Sequence, residues 1–318
     1  MPTELNKGVS IVVPVYRGEQ TLRPLAARIE QVLGASGSPF ELILVNDCGP
    51  DGSEAVIRAL ATEKSWIRGL SLMRNYGQHN AILAGIRHAR YDRIVTMDDD
   101  LQHPPEAIPR LLAKLDEGCD VVYGTPVKEY HGLIRNFSSI ATKTMLKTVL
   151  GVTVAREVAS FRAFRTELRE AFADYHSPTV FLDVLLTWAT DSFASVPVHH
   201  DAQAGGKSGF TFRKLVLHAI NMVTSFSTLP LRVASLTGLA TVAFGAVLLA
   251  FILVQWLLGG IPVRGFTLLF SVIVIFSGVQ LLSLGILGEY IARMYLRSMG
   301  RPPYVIKEAK SDGSVLRP

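Results

Sequence analysis

Cysteine is almost missing from this chain. Cys48 and Cys119 are the only two in 318 residues, too few for a disulfide framework, and no His/Cys spacing of the zinc-binding kind accompanies them. The glycine-rich phosphate cradles are missing too. Neither G-x-x-x-x-G-K-[ST] nor G-x-G-x-x-G occurs, which removes P-loop ATP chemistry and dinucleotide-dependent hydride transfer. No basic cluster interleaved with aromatics precedes the C-terminal third and the net charge is a modest +5, so anionic headgroups and phosphates are expected partners and nucleic acid is not. Internal repeats and low-complexity tracts are absent. The most informative absence is of charge itself: no charged side chain lies between Arg232 and Arg264, nor between Arg264 and Glu289.

Each of those intervals exceeds the ~20 apolar residues that span a bilayer, and they lift the mean hydropathy to +0.30. Two transmembrane helices are expected, near Val233 to Leu258 and Phe266 to Gly288. Buried globular helices of that length would show a polar face. Arg213, Lys214 and Arg232 precede the first span, and Arg293, Arg297, Arg301 and Lys307 follow the second, whereas the connection carries only Arg264. The positive-inside rule therefore places both termini in the cytoplasm of a multi-pass inner-membrane protein. Met1 to Gly8 lacks the apolar core of a signal peptide.

Before the spans, β-branched runs alternate with helical patterns. Strands are expected at Val9–Val15, Phe40–Asn46, Gly69–Met73, Arg93–Met97 and Asp120–Tyr123, with helices near Glu19–Leu33, Gly52–Glu63, Asn80–Ala89 and Pro105–Glu117. Such alternation implies an α/β domain on a mostly parallel, buried sheet. Helical stretches around Leu133–Leu150 and Phe210–Phe226, with Lys and Arg beside apolar residues, suit a membrane surface.

The chemistry is concentrated at Asp98-Asp99-Asp100, which follows Ile94-Val95-Thr96-Met97 and runs into Leu101-Gln102-His103-Pro104-Pro105. Carboxylates at the carboxyl edge of a strand stand where open α/β sheets bind ligands. Hard oxygen donors at that density suit Mg²⁺ or Mn²⁺ shared with substrate phosphates. The loops Pro14 to Glu19 and Asn46 to Ser53 are expected on the same edge, where a nucleotide whose phosphates reach the metal would sit.

Together with Val13-Pro14-Val15-Tyr16, Arg74-Asn75-Tyr76-Gly77-Gln78-His79, Val198-His199-His200 and Gly288-Glu289-Tyr290-Ile291 through Arg301-Pro302, these motifs resemble the membrane-bound polyprenyl-phosphate glycosyltransferases of family 2. That group has an inverting GT-A fold and includes dolichyl-phosphate mannose synthases, bactoprenol glucosyltransferases and undecaprenyl-phosphate aminoarabinose transferases. The likeness is strongest to the last branch. It implies a Rossmann-like GT-A catalytic domain over residues 1–210, a juxtamembrane interface helix over 211–231, two transmembrane helices within 232–290 and a cytosolic tail over 291–318. It implies Mg²⁺ or Mn²⁺ on Asp98, Asp100 and Gln102, and a nucleotide sugar, UDP-linked rather than GDP-mannose, against Pro14, Tyr16, Glu19, Asn46, Asp47, Arg74, Gln78, Asp98 and Asp99. The phosphate of the polyprenyl (undecaprenyl) acceptor would meet Lys128, Arg135, Ser139 and Arg162. Asp98, Asp100, Arg135 and Ser139 would carry the transfer, and some members form homotetramers.

On a helix, Arg135 and Ser139 share one face, and an arginine fork suits an anionic oxygen cluster. The chain departs from the usual pattern at Arg17-Gly18, Asn46, Asp99, Gly124-Thr125-Pro126, Gln203, Gly209 and Ser160, the last where an acid often precedes Phe-Arg. A base is dispensable here. The second pKa of a phosphate monoester is near ~6, so the lipid phosphate is already largely dianionic. One in-line displacement on the anomeric carbon then inverts it. Two rivals remain at this stage. A processive polysaccharide synthase is disfavoured by two spans and no Q-x-x-R-W, and a silent scaffold or transporter subunit by the intact acids and uncharged spans.

Overall fold

The computed structural model describes residues 6–126, 159–199, 229–258, 265–311 and 314–316. Contacts divide the chain into two units, one of Met1–Gly209 with Gly300–Pro318 and the other of Phe210–Met299. The first is built on a sheet of β1 (Asn6–Val15), β2 (Phe40–Asn46), β3 (Ile67–Leu72), β4 (Tyr91–Thr96), β5 (Val121–Pro126), β6 (Arg162–Arg165), β7 (Phe193–Val198), β8 (Ile306–Ser311) and β9 (Ser314–Leu316), in the order β7-β5-β6-β4-β1-β2-β3-β8-β9. Among these strands β6 and β8 alone run against the rest, so the sheet is mixed and mostly parallel in direction.

Alternation along the strands sorts two cores onto opposite faces, because successive side chains point to opposite sides of a pleated sheet. Ile11, Val13 and Leu44 pack with residues of α1 (Leu22–Gly34), α2 (Ser53–Glu63) and α4 (Ile108–Asp116). Val12, Ile43 and Val45 pack with α3 (Gln78–Arg87) and α5 (Leu182–Ala189). A Cβ at Gly85 would run into the Val12 side chain, so glycine is what lets α3 lie this close to β1. A 3-10 turn at Pro105–Ala107 leads into α4, where a proline lacking its N–H costs no hydrogen bond.

Register decides where the loops meet. Val15 pairs with Asn46, Asn46 with Ser71, and Val12 with Thr96. The carboxyl ends of β1 to β4 therefore finish together, and the loops after them share one edge.

The second unit contains α6 (Leu229–Leu257) and α7 (Phe266–Ser298), both long and apolar enough to cross a membrane by length and composition. They are not core helices: Leu236, Phe244, Val247 and Leu281 are each more than 60% exposed. A helix apolar all round needs a lipid rather than an aqueous surrounding. The hydroxyls of Thr237 and Thr241 donate to the carbonyls of Val233 and Thr237, both at 2.8 Å, which removes them as polar groups on an apolar helix. α7 runs on beyond Gly288, where its charged end includes an Arg293–Glu289 ion pair at 2.6 Å.

Residues 291–318, expected as a tail, are divided instead. Ile291 to Ser298 complete α7, and Ile306–Ser311 return as β8 along the edge of β3. Tyr304, Ile306 and Ala309 pack on the core beneath. The segment reads as polar because an edge strand presents only one face to a core. The expected interface helices over 133–150 and 210–226 lie outside the described residues.

Candidate active site

Four loops form the site, and the chain is locally strained to build it. Among the described residues the only non-glycines with positive φ are Arg17 (65°), Cys48 (56°) and Leu101 (62°), one in each of the loops after β1, β2 and β4. Each such conformation costs ~1–3 kcal/mol and persists only where the surroundings impose it. Those surroundings are loop-to-loop hydrogen bonds. Gly18 N–H donates to Ser53 Oγ at 2.9 Å, Glu19 N–H to Asp51 Oδ2 at 3.1 Å, and Gly52 N–H to Glu19 Oε2 at 3.0 Å.

Several residues expected to touch a nucleotide hold these loops in shape. Glu19 braces the second loop through Gly52, and Asn46 Oδ1 accepts the Gly49 amide at 3.1 Å. Asp47, buried at the end of β2, accepts the amides of Tyr76 at 2.7 Å and Gly77 at 2.8 Å, one on each oxygen. Burial pushes its carboxyl up and the two amides pull it back. Gly77 holds a φ of 93° that an L side chain would resist. Asp47→Asn offers an amide NH₂ where one of these N–H groups needs an acceptor. It is expected to cost ~1–3 kcal/mol in thermal unfolding and to weaken nucleotide binding by loosening the Arg74 to Gly77 loop.

Pro14 is buried in β1, whereas Tyr16 is 46% exposed at the rim with the Arg17 guanidinium 5.5 Å from its ring centre. Arg74 is exposed and stacks over Tyr76 at 4.6 Å. Both tyrosine–arginine pairs border the second loop, so flat faces and guanidinium donors are available to a base and ribose.

The three acids have separate tasks. Asp98 Oδ1 accepts from Gln78 Nε2 at 2.5 Å and Oδ2 from Ser160 Oγ at 2.7 Å. Asp99 Oδ2 accepts the Tyr16 amide at 3.2 Å and fills the space beside Gly18, where a Cβ would stand 2.7 Å from it. Asp100 Oδ1 accepts the Gln102 amide at 3.0 Å, closing the turn at Leu101. Burial first, and then the charges of Asp98 and Asp100, push the Asp99 carboxyl up to about 7. His103 is buried, stacked on Phe161 at 5.3 Å, and takes the Asp98 amide on Nδ1 at 3.2 Å. An Nδ1 that accepts leaves the ring proton to Nε2, and burial lowers the pKa of the ring while the neighbouring acids raise it.

Among the described residues no lysine or arginine pairs with Asp98, Asp99 or Asp100. Three clustered carboxylates with no lysine or arginine partner among the described residues leave a negative charge for a cation to balance. Asp98 and Asp100 thus fit a hard divalent ion that takes its remaining oxygens from a diphosphate. No group of three His, Cys, Asp or Glu able to hold a metal by itself occurs among the described residues.

The structure corrects one expectation. Arg162 is 1% exposed and ion-paired to Asp183, so it does not reach outward for a lipid phosphate. Arg165 lies at the opposite end of β6 beside Arg93, 3.6 Å from Asp120. Arg162 meets its counter-ion only through the fold, which sequence does not show. His79 lies 5.4 Å from Phe181, and His199 is exposed after β7. Lys128, Arg135, Ser139, Glu157 and His200 lie outside the described residues. Ser160, Thr96, Tyr123 and Asp183 were not singled out as site residues, apart from the departure at Ser160. A short polar residue next to a β-strand carries no distinguishing pattern.

Residues 10–172 match the family described as glycosyl transferase family 2. Two curated relatives bear the name undecaprenyl-phosphate 4-deoxy-4-formamido-L-arabinose transferase. The one from Shewanella sediminis is 37% identical over 94% of this chain and 92% of its own, and the one from an Enterobacter species 35% identical over 96% and 95%. Among solved structures, a Mycobacterium tuberculosis glucosyl-3-phosphoglycerate synthase in complex with Mn²⁺, UDP and phosphoglyceric acid superposes with a TM-score of 0.51. It is 20% identical, covering 69% of this chain and 76% of that one, which is a likeness of fold. A GT-A-like sheet, an acid cluster at its carboxyl edge and relatives matched over nearly their whole length make this chain a glycosyltransferase of family 2.

Proposed function

We propose that this glycosyltransferase moves one sugar from a UDP-linked donor to the phosphate of a polyprenyl lipid, undecaprenyl phosphate, with inversion and with Mg²⁺ or Mn²⁺. The reaction takes place at the cytoplasmic face of the inner membrane and supplies a lipid-linked monosaccharide to envelope glycan or lipid A. The observation that carries the reading is the acid cluster of Asp98 and Asp100, which no lysine or arginine among the described residues pairs, on the edge where the β1, β2 and β3 loops offer a nucleotide pocket. The names of the two relatives support a polyprenyl-phosphate acceptor and a 4-deoxy-4-formamido-L-arabinose donor sugar.

Asp98 and Asp100, with Gln102 beside them, would hold a divalent ion, which would supply positive charge against the diphosphate as it departs. The chain does the rest. Tyr16, Arg74 and the loop pinned by Asp47 receive the nucleotide, and Gln78 and Ser160 keep Asp98 in place. Arg135 and Ser139, with Lys128, hold the acceptor phosphate, which attacks as a dianion and needs positioning rather than a base. The positive flanks of α6 and α7 set the catalytic side, and the same reading includes a homotetramer.

The test is incubation of the detergent-purified protein with undecaprenyl phosphate, Mn²⁺ or Mg²⁺ and a panel of nucleotide sugars, with mass spectrometry of the lipid fraction. One added sugar is expected, only with metal and with release of UDP. Lipids carrying many sugars would indicate polymerisation instead, and an unmodified lipid with every donor would rule out this reaction.

A further inference from the structure

Behind Asp98 stands a line of buried and partly buried polar side chains. β6 enters antiparallel between β4 and β5, with Arg162 paired to Thr96 and Tyr123. This brings Ser160, just before β6, beside Asp98, just after β4. Ser160 Oγ donates to Asp98 Oδ2 at 2.7 Å. The Ser160 carbonyl is itself fixed, accepting from Thr96 Oγ1 at 2.8 Å and from Arg162 Nε at 3.4 Å. Arg162 pairs in turn with Asp183 in the first turn of α5, and the Tyr123 hydroxyl donates to the same Asp183 oxygen at 3.0 Å. Tyr123 and Arg162 are each 1% exposed.

Stability does not account for this arrangement, since a buried ion pair costs about as much in lost hydration as it returns, and apolar replacements are often no worse. What the buried charges hold is the backbone of the residue whose hydroxyl holds Asp98. A hydroxyl is also the right group there. It donates to the carboxylate and adds no charge, whereas an acid at 2.7 Å would compete with it for cation and proton.

We propose that Ser160 is the positioning residue for Asp98, and that the Arg162–Asp183–Tyr123 assembly acts through Ser160 by fixing its backbone. Asp98 then meets the donor's divalent ion in one orientation and needs no ordering when it binds. The proposal rests on the metal-dependent reading above. Outer partners of metal-binding carboxylates typically change metal affinity or activity ~10–100-fold when removed.

Mn²⁺ uptake by the full-length purified chain, followed by electron paramagnetic resonance with saturating UDP against a UDP-only blank, tests it without turnover. Ser160→Ala is expected to weaken Mn²⁺ binding ~10–100-fold, and Ser160→Thr, which keeps the hydroxyl, to restore most of it. Tyr123→Phe, a gentler change than breaking the ion pair, is expected to weaken it about threefold by loosening Asp183, a smaller effect than that of an immediate partner. Asp98→Asn serves as reference, and thermal unfolding confirms that each variant folds. In steady state the metal concentration for half-maximal rate should rise more than kcat falls. A folded Ser160→Ala that binds Mn²⁺ like the parent while Asp98→Asn does not, or equal loss in the Ala and Thr variants, overturns the positioning role and spares the metal reading. If the parent takes up no Mn²⁺ beyond the blank, or Asp98→Asn binds as well as the parent, both fall.

Discussion

Asp100→Asn should reduce sugar transfer by ~10²–10³-fold or more while leaving the fold intact, the scale seen when one preorganised group facing developing charge is removed. The substitution is clean because the one hydrogen bond of Asp100 among the described residues, from the Gln102 amide to Oδ1, can be kept by the carboxamide oxygen. What disappears is the negative charge and a hard oxygen donor, so the loss reports on the cation and not on the turn. Asp98→Asn is expected to be at least as damaging but harder to read. Both oxygens of Asp98 accept hydrogen bonds, from Gln78 and Ser160, and a carboxamide would turn its NH₂ toward one of these donors. Transfer to undecaprenyl phosphate measured with circular dichroism and melting temperature separates chemistry from folding. Undiminished turnover in folded Asp100→Asn would sink the assignment of this acid to metal binding.

Ending the chain after Pro303 is expected to lower stability by ~3 kcal/mol or more, from the partial burial lost at Tyr304, Ile306 and Ala309 and along β3. For a domain of this size that corresponds to ~6–12 °C in melting temperature. The truncation removes β8, its pairing with Gly69 to Leu72, the Met73 N–H to Val305 carbonyl bond at 2.9 Å and the Arg58–Glu308 ion pair at 2.6 Å. The exposed ion pair contributes little of this, as surface pairs do. A second consequence is aggregation. β3 is buried along its whole length, and an uncovered flat apolar edge recruits other strands. Differential scanning fluorimetry and light scattering read both effects. An unchanged melting temperature would mean that β8 only decorates the sheet. Because Arg74 to Gly77 follows β3 directly, nucleotide binding should weaken alongside stability.

The parallel half of the domain was legible because local pattern and burial agree there. Phe40–Asn46 was expected at the bounds it adopts, and β1, β3, β4 and β5 were found within a few residues. Strands buried on both faces read as unbroken β-branched runs, and the acids that end β4 stand out against such a run. The two strands that oppose the rest were not legible. β6 is four residues with arginine at both ends, and β8, Ile-Lys-Glu-Ala-Lys-Ser, has three charged residues and two apolar ones. Neither shows the apolar run of a central strand, and their places depend on partners distant in sequence. Glu19, Asn46 and Arg162 show the same limit for single residues. The resemblance implied ligand contact for them, and only the fold shows that Glu19 and Asn46 also brace loops and that Arg162 pairs with Asp183.

Sequence alone determined the family, the alternating α/β plan, the two apolar helices and the acid cluster. All of these are written in contiguous residues, as periodicity, absence of charge or motif. Tertiary structure decided which polar groups serve chemistry and which serve architecture. That choice depends on burial and on the nearest partner through space, and in the case of Asp98 the partner, Ser160, is brought in by a strand running the other way.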